Sequence, residues 1–315
     1  MVELTEVHKA NATLVQSQPL VAVFIGGTSG IGHQSFRALA AAEAEHKGKG
    51  LRAYIVGRNA TAAEEIIAEC RGLYPQGQYH FLKIDDLSLI KNVDRVCAEI
   101  IQLEQKESSD PRIDYLMMSQ GGSIWLSRTV SVYAAGFEAK FYPDDLSLRD
   151  LKLYTYSQAR SHMIYMHTLF METLAEKYPD KLALTHIFPG LVIGPTFYSS
   201  EHPLWFRIMF RLLHPVLGKF ITVPRQESGA RMMSLASSRY PARPSDPSKV
   251  YREGSAAIGT DGKPGSGVYS LGWKGENNLK LSAYEKFDKD EMRRKVWDHT
   301  VKAFEVIEAG DKFTE

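Results

Sequence analysis

The chain is poor in cysteine and has no excess of charge of either sign. Two cysteines in 315 residues, Cys70 and Cys97, exclude a disulfide-rich scaffold and a multi-cysteine metal site. Both fall on helical patterns, so we expect buried, unreactive thiols in a reducing compartment. The formal net charge of +1 gives no general reason to expect a nucleic-acid partner. No pair of histidines has convincing metal-ligand spacing, so we expect no metal.

Long hydrophobic runs are also missing. Residues 1–18 lack the apolar core of a signal peptide and the arginine bias of a transit peptide, so we expect a cytoplasmic protein. The most apolar stretch, residues 202–223, is interrupted by Arg207 and Arg211 and broken by Pro215, unlike a spanning helix. We favour an apolar flap over a hydrophobic pocket. The alternative is a segment that lies on a membrane surface.

Apolar runs alternate with helical patterns along the chain. We predict strands at residues 20–25, 51–56, 79–84, 113–118, 129–133, 182–188 and 268–271. We predict helices at residues 33–45, 61–71, 88–105, 155–177, 227–235 and 288–309. This alternation indicates an α/β fold with a doubly wound parallel sheet. We expect one domain, residues 1–315, in which residues 195–265 are an insertion that covers the substrate.

A glycine-rich turn, GGTSGIG, follows the first strand and opens the first helix. Gly26 permits the sharp turn, Gly30 lets the backbone approach a pyrophosphate, and Gly32 lets helix and strand pack closely. The helix N-terminus offers free amides and a positive dipole end to the phosphates. The pattern therefore predicts a Rossmann-like, dinucleotide-binding fold. We expect the cofactor contacts of this turn to come from Gly26, Thr28, Ser29, Gly30, Ile31 and Gly32.

The ends of the second and third strands indicate which dinucleotide binds. NAD sites usually place an acid after the second strand, but this strand ends in Gly57-Arg58. The planar guanidinium of Arg58 can hold a 2′-phosphate, which favours NADP. The third strand is followed by Asp85-Asp86-Leu87. A carboxylate there can accept a hydrogen bond from the adenine amino group, cap the next helix, or do both.

These residues resemble the short-chain dehydrogenase/reductase family. The matching segments are GGTSGIG at 26–32, Asp86-Leu87-Ser88, Ile113 to Leu116, Tyr156 to Arg160, and Pro189 to Val192. They occur in family order over about residues 20–195. MSQGG at 118–122 and SVYAAG at 131–136 resemble a divergent branch of fungal secondary-metabolite enzymes. The resemblance implies further cofactor contacts from Asp86, Leu87, Ser119, Gly121, Pro189 and Gly190.

The resemblance also implies catalytic residues, and the chain departs from the family there. Tyr156 matches the tyrosine acid/base, but Arg160 replaces the lysine four residues later. Arginine keeps the positive charge on the same helix face, although it is wider than lysine. The family's usual serine pair aligns with Tyr133-Ala134, so the serine hydroxyl is absent unless Tyr133 or Ser131 substitutes. We expect Tyr156 and Arg160 to be the catalytic pair; the alternative is an ordinary surface pair.

The connection between the fourth and fifth strands is unusually short. Only ten residues, 119–128, separate the two predicted strands, whereas a parallel crossover needs about a dozen or more. The family places a helix there, which carries its assisting asparagine and contributes to its usual dimer surface. Either the protein is naturally reduced, or the sequence comes from a gene model or splice form that lost a segment. The oligomeric state is therefore open.

Three functions remain open at this point. The leading hypothesis is an NADP-dependent oxidoreductase that acts on a carbonyl or alcohol group of a bulky apolar small molecule. A non-redox isomerase, dehydratase or cyclase on the same fold is the second, because the serine and lysine are replaced. A catalytically dead nucleotide-binding protein is the third.

Overall fold

The computed structural model describes residues 1–315 except 88, 110, 119–127, 195–203, 206–207, 213–217, 219–221, 247, 250, 253 and 315. The strands are β1 Leu20–Ile25, β2 Leu51–Gly57, β3 Gln78–Lys83, β4 Tyr115–Met118, β5 Arg128–Val132, β6 Ala183–Ile187 and β7 Val268–Leu271. The helices are α1 Leu4–Ser17, α2 Gly30–Glu45, α3 Ala60–Leu73, α4 Ile90–Glu107, α5 Tyr156–Lys177, α6 Arg225–Ser234, α7 Leu281–Tyr284 and α8 Lys289–Glu308.

The described strands form one parallel sheet in the order β3-β2-β1-β4-β5-β6-β7. This confirms the predicted doubly wound α/β fold. Strand order reverses between β1 and β4, and ligands of such sheets bind at the carboxyl ends of the strands near that point. All six residues of β1 are buried, because helices cover both faces of the sheet. That burial explains why the β1 sequence is continuously apolar rather than alternating.

Helices form a layer on each face of the sheet. On one face, α1, α2, α3 and α6 pack on alternate strand residues, and the Phe24 and Phe36 rings meet edge to face at 5.2 Å. On the other face, Val96 and Ile100 of α4 pack on Val23 and its neighbours. Farther along that face, α5 covers β6 and β7. Side chains of this size contribute about 1.5–3 kcal/mol each when fully buried.

Several helix ends differ from the prediction. Asn59 caps α3 by accepting a hydrogen bond from the amide of Ala62 at 3.1 Å, so this helix begins at Ala60, one residue before the predicted start. Leu89 precedes α4, so the capping role considered for Asp85 or Asp86 is wrong. In both cases several polar residues stand near the helix start, and only the three-dimensional path of the chain selects the cap.

Helix α1 was not predicted. Its buried residues are Val7, Asn11 and Val15, a stripe with helical spacing whose middle member is polar. Asn11 is tolerated there because its side-chain amide donates to the carbonyl of Ala230 at 2.9 Å. The partner lies 219 residues away, so the sequence pattern could not reveal it. No described helix is long and apolar enough to span a membrane.

Strands β4 and β5 lie side by side and pair in parallel, with Leu116 opposite Thr129. Nine residues, 119–127, separate them, and these lie outside the described residues. The lack of a crossover helix therefore stays a prediction. The assignment of residues 195–265 as a substrate-covering insertion also stays a prediction. Within that range, α6 packs on α2, and its Met232 and Met233 join the main core.

Candidate active site

The glycine-rich turn joins β1 to α2 at the carboxyl edge of the sheet. Gly26 and Gly30 have φ angles of 80° and 57°, in the left-handed region that favours glycine. A Cβ atom on Gly32 would lie 2.6 Å from the carbonyl oxygen of Gly26, so the first turn of α2 packs directly on the loop. The side chain of Ile31 is half-buried against the core. These contacts account for the small residues of the motif.

The same turn has the features of a phosphate site. A Cβ atom on Gly30 would meet nothing within 4 Å, so the backbone is open on that side. Ser29 precedes α2, and its hydroxyl makes no capping hydrogen bond to the helix amides. Helix N-terminal amides without a cap are suitable donors for an anion. The residues present therefore fit the pyrophosphate of a dinucleotide.

The end of β2 touches the glycine turn. A Cβ atom on Gly57 would lie 2.6 Å from Cγ2 of Thr28, so the strand end and the turn are in van der Waals contact. Arg58 is the next residue, and it is exposed. The structure thus places Arg58 directly after a residue that contacts Thr28, and the roles of both residues toward a dinucleotide stay predictions.

Two other predicted contact segments lie at the same edge. Asp86 is exposed and Leu87 half-buried after β3, where the Asp86 carbonyl accepts from the Asn92 side chain at 2.7 Å. Gly190, after β6, has a φ angle of 73°, and a Cβ atom there would lie 2.6 Å from Cγ2 of Val223. Glycine is therefore required at that turn. Ser119 and Gly121 lie outside the described residues.

Tyr156 and Arg160 occupy the first two turns of α5. Thr155 caps this helix by accepting a hydrogen bond from the amide of Gln158. The Tyr156 side chain is 81% exposed. Cζ of Arg160 lies 6.0 Å from the ring centroid of Tyr133 and 5.7 Å from that of Phe137. Arg160 therefore packs its guanidinium on two aromatic rings that follow β5.

The position of the missing serine is filled by other groups. Ala134 is fully buried. Ser131 is fully buried too, and its hydroxyl is 2.9 Å from Nε2 of His167, so it is out of reach of a substrate at the surface. Burial lowers the pKa of His167 to about 4, which keeps the imidazole neutral. Tyr133 is therefore the remaining candidate of the two substitutes; burial raises the pKa of its phenol, and Arg160 partly offsets this.

The apolar flap is described only in part. Trp205 is 65% exposed, and large apolar side chains at four nearby positions are also exposed: Leu204, Ile208, Met209 and Leu212. Arg211 is exposed as well. Phe206, Arg207 and Leu213 lie outside the described residues. The substrate-covering role and the membrane-surface role both stay predictions.

The parallel sheet and the glycine turn define a Rossmann-like α/β protein. No family model matches the chain. The short-chain dehydrogenase/reductase SAT2 of Stachybotrys chartarum is 33% identical over 98% of each sequence. The oxidoreductase AN1596 of Emericella nidulans is 32% identical over 95% of this chain and 97% of its own. Among solved structures, L-sorbose reductase from Gluconobacter frateurii is 14% identical, with a TM-score of 0.49, over 72% of this chain and 92% of its own.

The near full-length similarity to SAT2 confirms the resemblance found in the sequence. The chain belongs to the short-chain dehydrogenase/reductase family, a family of oxidoreductases.

The alignment with SAT2 is longer than the chain itself. It extends over 350 positions, which is 35 more than the 315 residues of this protein. At least that many positions of the relative therefore face gaps inside this chain.

Proposed function

We propose that this protein is an NADP-dependent oxidoreductase that interconverts a carbonyl and an alcohol group on a bulky apolar small molecule, in a biosynthetic pathway for secondary metabolites. The observation that carries the proposal is the open glycine turn in contact with the end of β2, where Arg58 follows. Membership of an oxidoreductase family and the position of Tyr156 at the same sheet edge support it.

The chain's own residues supply positioning and the proton. A bound nicotinamide supplies the hydride in reduction and accepts it in oxidation. In reduction, the Tyr156 phenol gives its proton to the carbonyl oxygen while the carbonyl carbon gains the hydride, and an alcohol results. The guanidinium of Arg160, one helical turn away, stabilises the phenolate that remains. Solvent returns the proton to Tyr156, which is exposed.

Exchanging Arg58 for alanine tests whether this residue makes the protein prefer NADPH to NADH. We expect the wild type to bind NADPH about 10- to 100-fold more tightly than NADH, because a charge-assisted hydrogen bond to the 2′-phosphate contributes about 1.5–3 kcal/mol. In Arg58→Ala most of this preference should disappear, with NADH affinity unchanged. Isothermal titration of both dinucleotides measures the effect. Equal affinities of the wild type for the two would refute the NADP assignment.

Apolar side chains around the candidate site support an apolar substrate. Phe137 is 50% exposed beside Arg160, and its ring meets that of Phe188 at 4.7 Å. Tyr154, two residues before Tyr156, is 56% exposed. These rings can contact a hydrophobic molecule whose reacting group reaches Tyr156.

Trp205→Ala tests whether the flap covers that substrate. We expect the KM for a bulky apolar ketone to rise about tenfold, since a desolvated side chain of this kind contributes about 1.5–3 kcal/mol. The KM for a small ketone and the affinity for NADPH should stay unchanged, because neither needs the flap. Steady-state kinetics with both ketones measure this. An unchanged KM for the bulky ketone, together with tight binding of the protein to neutral liposomes, would favour the membrane-surface role instead.

A non-redox reaction is the second candidate. It is favoured by one observation: Tyr133-Ala134 replace the family's serine pair, and the hydroxyl of buried Ser131 is within hydrogen-bond distance of His167. The family's serine hydroxyl usually orients the substrate carbonyl, and this chain has no serine hydroxyl in that place. An isomerase, dehydratase or cyclase would form product without consuming NADPH, which separates it from a reductase.

A further inference from the structure

A small cavity lies beside the glycine turn. Its volume is about 120 Å³, and its lining includes Gly30, His33, Gly194 and Arg225. The turn forms one wall and the loop after β6 forms another; a Cβ atom on Gly194 would lie 3.5 Å from Cα of Gly30. The lining includes a guanidinium and an imidazole but no carboxylate. Its composition therefore suits an anion.

Close packing of α6 on α2 brings Arg225 to this cavity. A Cβ atom on Gly229 would lie 2.4 Å from the carbonyl oxygen of Gln34, so the two helices touch backbone to backbone there. Arg225 is one turn before Gly229 on α6, and Gly30 is one turn before Gln34 on α2. The packing thus sets the first residue of α6 beside the first residue of α2.

One hydrogen bond fixes the Arg225 side chain at the cavity wall. Its Nε donates to the carbonyl oxygen of Ile193 at 3.0 Å. Within the part of the chain that the structure describes, neither Nη1 nor Nη2 has a hydrogen bond or an ion pair. A guanidinium has five N–H donors, and its terminal pair matches two oxygens of one phosphate group. The donors that Ile193 leaves unused border the space next to Gly30.

We propose that Arg225 binds the pyrophosphate of the dinucleotide, opposite the glycine turn. The proposal rests on the proposed function, since it needs a dinucleotide in this site. It gives two arginines separate tasks. Arg58 holds the 2′-phosphate and so distinguishes NADP from NAD, whereas Arg225 contacts a group that both cofactors share and raises affinity without selectivity.

Binding of NADPH, NADH and adenosine 2′-monophosphate to Arg225→Gln, measured by isothermal titration, tests this division. The third ligand carries the 2′-phosphate but no pyrophosphate. We expect the affinities for NADPH and NADH to fall by the same factor, about tenfold. This is the lower end for a charge-assisted hydrogen bond, because Arg225 is exposed and solvent screens it. Binding of adenosine 2′-monophosphate should stay unchanged, which also shows that the variant is folded.

Two variants serve as controls. Gln226→Ala changes the exposed neighbour of Arg225 on α6 and should bind all three ligands like the wild type. Arg58→Ala should show the opposite pattern to Arg225→Gln, with weaker NADPH and adenosine 2′-monophosphate and unchanged NADH.

The outcomes separate this proposal from the proposed function. Unchanged NADPH and NADH affinities in Arg225→Gln would overturn the role of Arg225 and leave the cofactor assignment intact. A loss that is equally large for adenosine 2′-monophosphate would place Arg225 at the 2′-phosphate and also overturn the proposal. Failure of the wild type to bind either dinucleotide would overturn both the proposal and the proposed function.

Discussion

Replacing Tyr156 with phenylalanine is expected to slow carbonyl reduction by about 10²- to 10⁴-fold, the usual contribution of a positioned acid/base. The variant keeps the ring but lacks the transferable proton. Because Tyr156 is 81% exposed at the start of α5, the change removes no buried contact. NADPH affinity and the thermal unfolding midpoint should therefore stay at wild-type values, and steady-state kinetics should show the loss in kcat.

Tyr154→Phe is the matched control for that experiment. Tyr154 is also an exposed tyrosine, two residues earlier and outside α5, so loss of its hydroxyl should leave kcat unchanged. Arg160→Lys completes the series and should retain or raise activity, since lysine keeps the charge and is the family's own residue. If Arg160→Lys inactivates the protein while Tyr156→Phe does not, these residues are not the catalytic pair. A larger loss of kcat in Tyr133→Phe than in Tyr156→Phe would show that Tyr133, rather than Tyr156, donates the proton.

The natural transcript is expected to encode about 35 more residues between β4 and β5 than this sequence contains. Nine residues are too few for the helical crossover that parallel neighbours normally require. The alignment with SAT2 places at least 35 positions against gaps in this chain. We assign most of that difference to this connection, because it is shorter than a parallel crossover requires.

A protein with the longer connection should also be more stable. A crossover helix would cover the face of β4 and β5 between α4 and α5, and each apolar side chain buried there contributes about 1.5–3 kcal/mol. We therefore expect the free energy of unfolding to rise by several kcal/mol, measured by urea denaturation of both forms. Full-length cDNA sequencing shows directly whether the natural transcript encodes the longer connection. Transcripts that encode only the nine-residue connection would establish natural loss of the helix.

The strands were predictable because a parallel strand that is buried on both faces is a short, continuous apolar run. The observed ends of β1 and β7 match the predicted ones, and the glycine turn lies where its spacing placed it. Caps were less predictable, since Asn59 and Thr61 are both good candidates and only the path of the chain selects one. Contacts between segments that are distant in the sequence could not be predicted. Asn11 with Ala230, Ser131 with His167, and Arg225 beside Gly30 depend on packing that no local pattern encodes.

The central claim is that the protein transfers a hydride between NADP and a carbonyl compound. The most direct test incubates the purified protein with NADPH and a panel of bulky hydrophobic ketones, and follows NADPH absorbance and alcohol product together. The account predicts that NADPH is consumed and alcohol formed in equal amounts with at least one ketone, and that NADH is a much poorer donor. Conversion of a substrate without any consumption of NADPH would contradict it.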